Sequence, residues 1–241
     1  MVLATIKKLR PSLAILVISA SVLHGCSSNK TPPGPSTTVQ RSTLREDFPL
    51  DAGTYWIYKG TVQWQDGKDS RDSPITWKMA VARSERVGKY EVSFVQGHPE
   101  DLEWYVPGKA RANHVFVSVK GKYYEITTVE NLSALLSETE IANKLSALHP
   151  FMVLPLNPGE CTQNRTDCWE VHEPRPAKLE NINTPVVRDN AAEYELSLHS
   201  SSGQTSMRFV PGIGITSYSY KRYGGPGTAD LHLVEFHPGG N

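Results

Sequence analysis

From residue 54 onward, apolar and polar side chains alternate in short runs. In TYWIYKGTVQW, residues 54–64, Trp56, Tyr58, Gly60, Val62 and Trp64 alternate with Tyr55, Ile57, Lys59, Thr61 and Gln63. The first set is the more apolar. A period of two therefore predicts a strand with that set toward the core. WQDGKDS follows, and its Asp-Gly pair is a strong hairpin signature. SPITWKMAVARSE, residues 73–85, reads as the returning strand. GKYEVSFVQG places Tyr90, Val92 and Phe94 on one face of the next. The pattern recurs in DLEWYVPG, NHVFVSVKGKYYEITTV, AEYELSLHSSSGQTSMRFVPG, GITSYSYKRYGG and ADLHLVEF. Short strands joined by Gly-containing turns predict a mainly β, antiparallel meander.

One segment breaks this period. NLSALLSETEIANKLSALHP, residues 131–150, spaces Leu132, Leu135, Leu136, Ile141, Leu145 and Leu148 almost helically. Ser137 and Glu140 fit a capping box, and Pro150 supplies a stop. A helical insertion near 131–149, as one helix or two short ones, is expected. Residues 173–190, rich in Pro, Asn and charge, read as a surface loop. FPLDAG at 48–53 is echoed by LPLNPG at 154–159. Two six-residue copies fall short of a repeat signature.

The first 46 residues follow another logic. Lys7, Lys8 and Arg10 precede an apolar run, Leu13–Leu23, which is too short for the roughly 20 residues of a bilayer-spanning helix. A basic start, a short apolar stretch and a small-residue cleavage zone describe an export signal. The zone, Leu23-His24-Gly25-Cys26, resembles the bacterial lipobox. That resemblance implies cleavage before Cys26, a diacylglyceryl group on its thiol and an acyl chain on the freed amine. His24 departs from the smaller residue usual there. An ordinary secretory signal with an incidental Cys26 and a membrane-anchored N-terminal helix are the alternatives. Two or three acyl chains anchor stably where one does not, at about 0.8 kcal/mol per buried methylene. With Ser27, rather than Asp, after the cysteine, the resemblance implies the outer-membrane sorting of enteric-type bacteria, with the domain facing the periplasm. Residues 26–46, dominated by Pro, Ser and Thr, read as a lipidated flexible tether. Residues 47–238 remain as one β-rich domain.

Charge and cysteine content narrow the class further. The full chain is neutral, with 25 basic and 25 acidic residues. Removing residues 1–25 takes three basic groups and no acids. A near-neutral mature chain is no nucleic-acid footprint. Export also bears on the remaining cysteines. Cys161 and Cys168, in GECTQNRTDCW, meet an oxidising compartment and read as a disulfide. Half a zinc site, with His172 as the nearby candidate, is the rival reading; zinc pairs usually sit closer and need further ligands.

FPLDAGTYWIYKG and FVPGIGITSYSYKRYGGPGTADLHLVEF resemble the opening and closing signatures of a loose class of bacterial envelope lipoproteins. Phe48, Pro49, Leu50, Gly53, Trp56 and Tyr58 carry the first, and Pro211, Gly212 and Gly214 the second. The resemblance implies a curved sheet or half-barrel akin to lipoprotein-carrier folds. It transfers no catalytic residue. The two glycines of VPGIGI read as a tight connection or bulge. A phosphate cradle would need a following helix and a third glycine.

No catalytic or metal motif is present. The eight histidines form no H-E-x-x-H or other paired spacing, so no metal or cofactor is expected. No G-x-S-x-G occurs. Glu100, Asp101 and Glu103 beside Trp104 and Tyr105 could serve sugar chemistry. An exposed turn explains them more simply. Tyr218, Tyr220 and Tyr223 read as a packed strand face. The expectation is a non-enzymatic, lipid-anchored envelope protein that binds the membrane through its lipid. It either holds an apolar ligand in the concave face or acts as a scaffold for envelope proteins. A carrier needs a continuous apolar cavity; a scaffold fills that space and exposes an apolar patch elsewhere.

Overall fold

The structure, a computed structural model, describes residues 47–66, 69–126, 137–161, 168–186 and 190–240. The export segment, Cys26, the tether and the first part of the expected helix, 131–136, lie outside these residues. Mainly β architecture is what the described chain adopts. The first arm runs through β1 (Tyr55–Asp66), β2 (Asp69–Val87), β3 (Tyr90–Gln96), β4 (Asn113–Val119), β5 (Lys122–Ile126) and the two-residue β6 (Met152–Val153). The second arm comprises β7 (Glu170–Val171), β8 (Arg175–Pro176), β9 (Ala192–His199), β10 (Gly203–Val210), β11 (Gly214–Arg222) and β12 (Thr228–His237). Helix α1 (Glu138–Leu145) lies between β5 and β6 in sequence.

The sheet order is β6-β5-β4-β3-β2-β1-β12-β11-β10-β9-β7, with β8 also paired to β9. Two antiparallel meanders are thus zipped together by β1 against β12, with Trp56 opposite Phe236 and Gly60 opposite Leu231. Gly60 is required there: a Cβ at this position would run into the Asp230 carbonyl of β12. The antiparallel meander expected from the sequence forms in two stretches, joined where the first strand finds its second partner at β12.

The sheet curls into a half-barrel. Phe48, just before β1, lies 5.9 Å from the Trp56 ring on β1, 6.0 Å from Phe116 on β4, 6.1 Å from Tyr123 on β5 and 5.5 Å from Phe209 on β10. β4 and β10 stand far apart in the strand order, so one ring can meet both only if the arms bend toward each other. Trp56, Tyr58 and Val62 are buried on this inner face, with Gly60 and Trp64 partly so. That matches the face predicted from alternation.

β3 and β4 are covered on both sides. Tyr90, Val92 and Phe94 share the outer face with Val115 and Val117, where Ile141 and Leu145 of α1 seal them. The described helix starts at the expected capping box. The Ser137 hydroxyl accepts from the Glu140 N–H and donates to the Glu140 carboxylate, fixing the start. The helix ends at Leu145, five residues before Pro150, and Leu148 is exposed. Among the described residues of this segment, Ile141 and Leu145, one turn apart, are the positions that cover strand surface.

The opening and closing signatures meet in space. The Trp56 indole donates to the Ile213 carbonyl at 2.6 Å and the Tyr58 hydroxyl to that of Ile215 at 3.1 Å. Gly214, at φ +97°, lies against Phe48 and Trp56 so closely that a Cβ would come within 2.9 Å of the Phe48 ring. Its role is mechanical: it lets the β10–β11 connection approach the aromatic core.

Candidate functional site

The connection between β3 and β4 turns inward rather than forming an exposed turn. A 3-10 turn, Pro99–Leu102, begins right after His98, and Pro99 and Leu102 are buried. Farther along, Glu103 crosses to the opposite arm: its carboxylate accepts from Thr205 on β10 at 3.0 Å and from the Tyr218 hydroxyl on β11. Within the acidic run, Asp101 and Glu103 are therefore not the solvent-facing groups that composition suggested, whereas the Glu100 side chain stays 44 % exposed. Asp101 and Glu103 are drawn inside because strand hydroxyls and a histidine are there to receive them.

That histidine is His114, at an inward position of β4. Glu125 on β5 pairs with Phe116, two residues along, and so shares the inner face with His114. His114 Nδ1 is 2.6 Å from Glu125 Oε1, and its Nε2 is 2.9 Å from Asp101 Oδ1. The second Asp101 oxygen accepts from the Ala112 N–H at 3.1 Å. The three side chains are only 4 %, 15 % and 11 % exposed.

His98 completes the cluster, its ring 5.2 Å from that of His114 and 5.5 Å from Phe116. The residue is 6 % exposed, yet neither ring nitrogen has a hydrogen-bond partner. Glu100 Oε2 stands 3.8 Å from its Nδ1, beyond bonding range. Each unpaired buried group of this kind costs roughly 1–3 kcal/mol. His98 is thus an unfavourable residue for folding where it stands.

Charge in the cluster follows from burial and pairing. Burial holds His98 down at about 4, so its ring is neutral. Burial, then the charges of Glu125 and Glu103, push Glu100 up to about 8. Burial also raises Glu103, against the bonds from Tyr218 and Thr205. For His114, burial opposes the charge, but hydrogen bonds to Asp101 and Glu125 outweigh it and carry the group to about 10. Burial likewise disfavours the Glu125 carboxylate. His98, being neutral, adds little, and the bonded His114 imidazolium holds Glu125 below its usual range. The result is a cluster of carboxyl groups around one imidazolium, buried at His98, His114, Asp101 and Glu125 and open to solvent at Glu100.

Sequence reasoning missed this centre because its residues come from three segments with no linear spacing. One signal was available. His114 and Glu125 occupy the same alternation phase as the core residues Phe116 and Tyr123, so both are ionisable groups at core positions. The sequence reading of isolated histidines without a metal spacing holds for the linear chain; the tertiary fold is what brings two of them beside two glutamates.

Elsewhere, Cys161 and Cys168 are joined in a disulfide, with Cα atoms 5.6 Å apart. His172, the rival zinc candidate, instead bonds the Ser197 hydroxyl at 2.7 Å. Tyr218 and Tyr220 are buried, while Tyr223 is half exposed. Two neighbouring clefts, of about 230 and 570 Å³, share Asp47, Arg86, Glu91, Ser118 and Tyr123 in their walls. Both are largely polar.

No protein-family model matches the chain, and no curated protein matches it in sequence. Two solved structures are similar. One is a candidate exported protein with a YmcC-like fold from Bacteroides fragilis, 12 % identical, TM-score 0.39, covering 80 % of this chain and 99 % of that one. The other is a candidate lipoprotein from Parabacteroides distasonis, 11 % identical, TM-score 0.35, covering 81 % and 99 %. Likeness at this level carries no functional argument.

Proposed function

We propose that this chain is an exported lipoprotein, anchored in the outer membrane through acyl chains on Cys26, whose periplasmic domain is a non-enzymatic scaffold for other envelope proteins. The lipobox resemblance, the basic start and the short apolar run support the anchor. One observation supports a scaffold over a carrier of apolar ligand. The half-barrel is stoppered by its own chain: Phe48, Leu102 and the Glu103 bridge to β10 and β11 occupy the inner face that a lipid would need. Beside this plug, Trp104, Val106 and Tyr223 are each at least 50 % exposed, and the Arg222 guanidinium stacks over Trp104 at 3.8 Å. Exposed Trp, Tyr and Arg together have the composition of protein-binding hot spots.

Two measurements test the reading. Labelling with a tagged fatty acid should mark the parent at Cys26, and Cys26→Ala should move to the soluble fraction; an unlabelled, soluble parent would sink the anchor. Native mass spectrometry of the detergent-purified chain should show no co-purified lipid inside the fold. A stoichiometric lipid that survives detergent exchange would restore the carrier reading.

A further inference from the structure

We infer that His98, Glu100, His114 and Glu125 form a binding site for a divalent first-row transition ion of the zinc class. The inference is independent of how the chain is anchored or what partner it meets. One nitrogen or oxygen from each of the four residues lies within 4.8 Å of all the others. A four-coordinate ion with bonds of about 2.0–2.2 Å spaces its ligand atoms about 3.4 Å apart. His98 Nδ1 and Glu100 Oε2 are 3.8 Å apart and need only close slightly, whereas His114 Nδ1 and Glu125 Oε1, at 2.6 Å, must open by about 0.8 Å once the proton between them is gone; both are movements within reach of side-chain torsions on a fixed backbone.

The unpaired His98 is the observation that points to a ligand. Its ring is buried, faces the carboxyl cluster and bonds to nothing there. A metal ion gives one of its nitrogens the partner it lacks. His98 is also the N-terminal flanking residue of the 3-10 turn, yet its side chain makes no capping bond. Nothing local explains the imidazole.

His114 carries the second argument. A metal-bound histidine usually donates its other ring N–H to a carboxylate, which fixes the ring's orientation and raises its basicity. Asp101 is placed for that task at Nε2, and Asp101 is itself held by the Ala112 N–H. This leaves Nδ1 to ligate, with the ion replacing the proton that Nδ1 now shares with Glu125. Asp101 is then a positioning residue and not a ligand.

The donor set selects the ion. Two imidazoles with two carboxylates suit zinc and its neighbours, whereas magnesium and calcium take oxygen ligands alone. His114 and Glu125 stand on adjacent strands, a rigid platform, and His98 and Glu100 close over them from the connection.

The test uses the full-length chain without a histidine tag, stripped with chelator in detergent and titrated with Zn²⁺ calorimetrically, with metal content measured after dialysis. One ion per chain is expected. His98→Gln and Glu100→Gln should each weaken binding by more than the roughly 10–100-fold typical of outer-shell partners. Asp101→Asn should fall within that range and keep the stoichiometry. Unaltered affinity in a folded His98→Gln/Glu100→Gln double variant would place the ion elsewhere and overturn the assignment. A readout that needs no variant is the imidazole ¹⁵N spectrum of the parent. Resonances of His98 and His114 should shift at one equivalent of Zn²⁺, and unmoved resonances refute the site.

Discussion

Replacing Trp56 by phenylalanine probes the contact that joins the two ends of the chain. Trp56 is fully buried, stacks on Phe236 at 5.7 Å, and donates its indole N–H to Ile213. Phenylalanine keeps an aromatic ring but removes the donor. The Ile213 carbonyl, in a residue with no exposed surface, then loses that bond, at roughly 1–3 kcal/mol. The lost ring atoms add to this, bounded by the 3–5 kcal/mol typical of complete aromatic truncation. A total of about 2–4 kcal/mol follows. For a domain of this size, each kcal/mol moves the melting temperature by about 2–4 °C, so a fall of about 4–16 °C is expected. Urea unfolding followed by circular dichroism measures the free energy and calorimetry the temperature. Trp104→Phe is the control, since that ring is 56 % exposed and surface changes usually stay within about 0.5 kcal/mol. A Trp56→Phe loss below about 1 kcal/mol, or equal to the control, would refute the claim that this hydrogen bond locks the closing connection onto the opening strand.

Gly60→Ala should destabilise by about 1–3 kcal/mol, because the new methyl meets the Asp230 backbone and β12 must shift; Gly225→Ala, with open space around it, should be near neutral in the same unfolding assay. Ile141→Ala removes the fully buried anchor of α1 and should cost about 2–5 kcal/mol in urea unfolding, with faster amide exchange in α1 than in β1. The Cys161→Ser/Cys168→Ser pair opens a ring of sequence separation 7 and should lose roughly 2–3 kcal/mol; adding reductant to the parent should reproduce that loss, and a reductant-insensitive parent would contradict it.

Strand identity was legible because a half-buried strand repeats every two residues. Trp56, Tyr58 and Val62 announce their face without reference to any partner. The hydroxyl and carboxylate of Ser137 and Glu140 likewise mark a helix start from three residues of spacing alone. The extent of α1 was not legible, since its length depends on how much outer strand surface β3 and β4 leave for Ile141 and Leu145.

Pairing partners lay further out of reach. Nothing local tells β1 that its second neighbour is β12, more than 160 residues on, because strand edges are chemically alike and only closure of the sheet selects among them. The buried centre is the extreme case. His98 precedes a turn and Glu100 lies within it, His114 and Glu125 stand on separate strands, and each has an ordinary surface explanation by itself. The sequence by itself determined the alternation, the turn chemistry and an export-like start. Tertiary structure decided that an acidic connection folds inward to plug the half-barrel, because only there do Thr205, Tyr218 and His114 converge to receive its carboxylates.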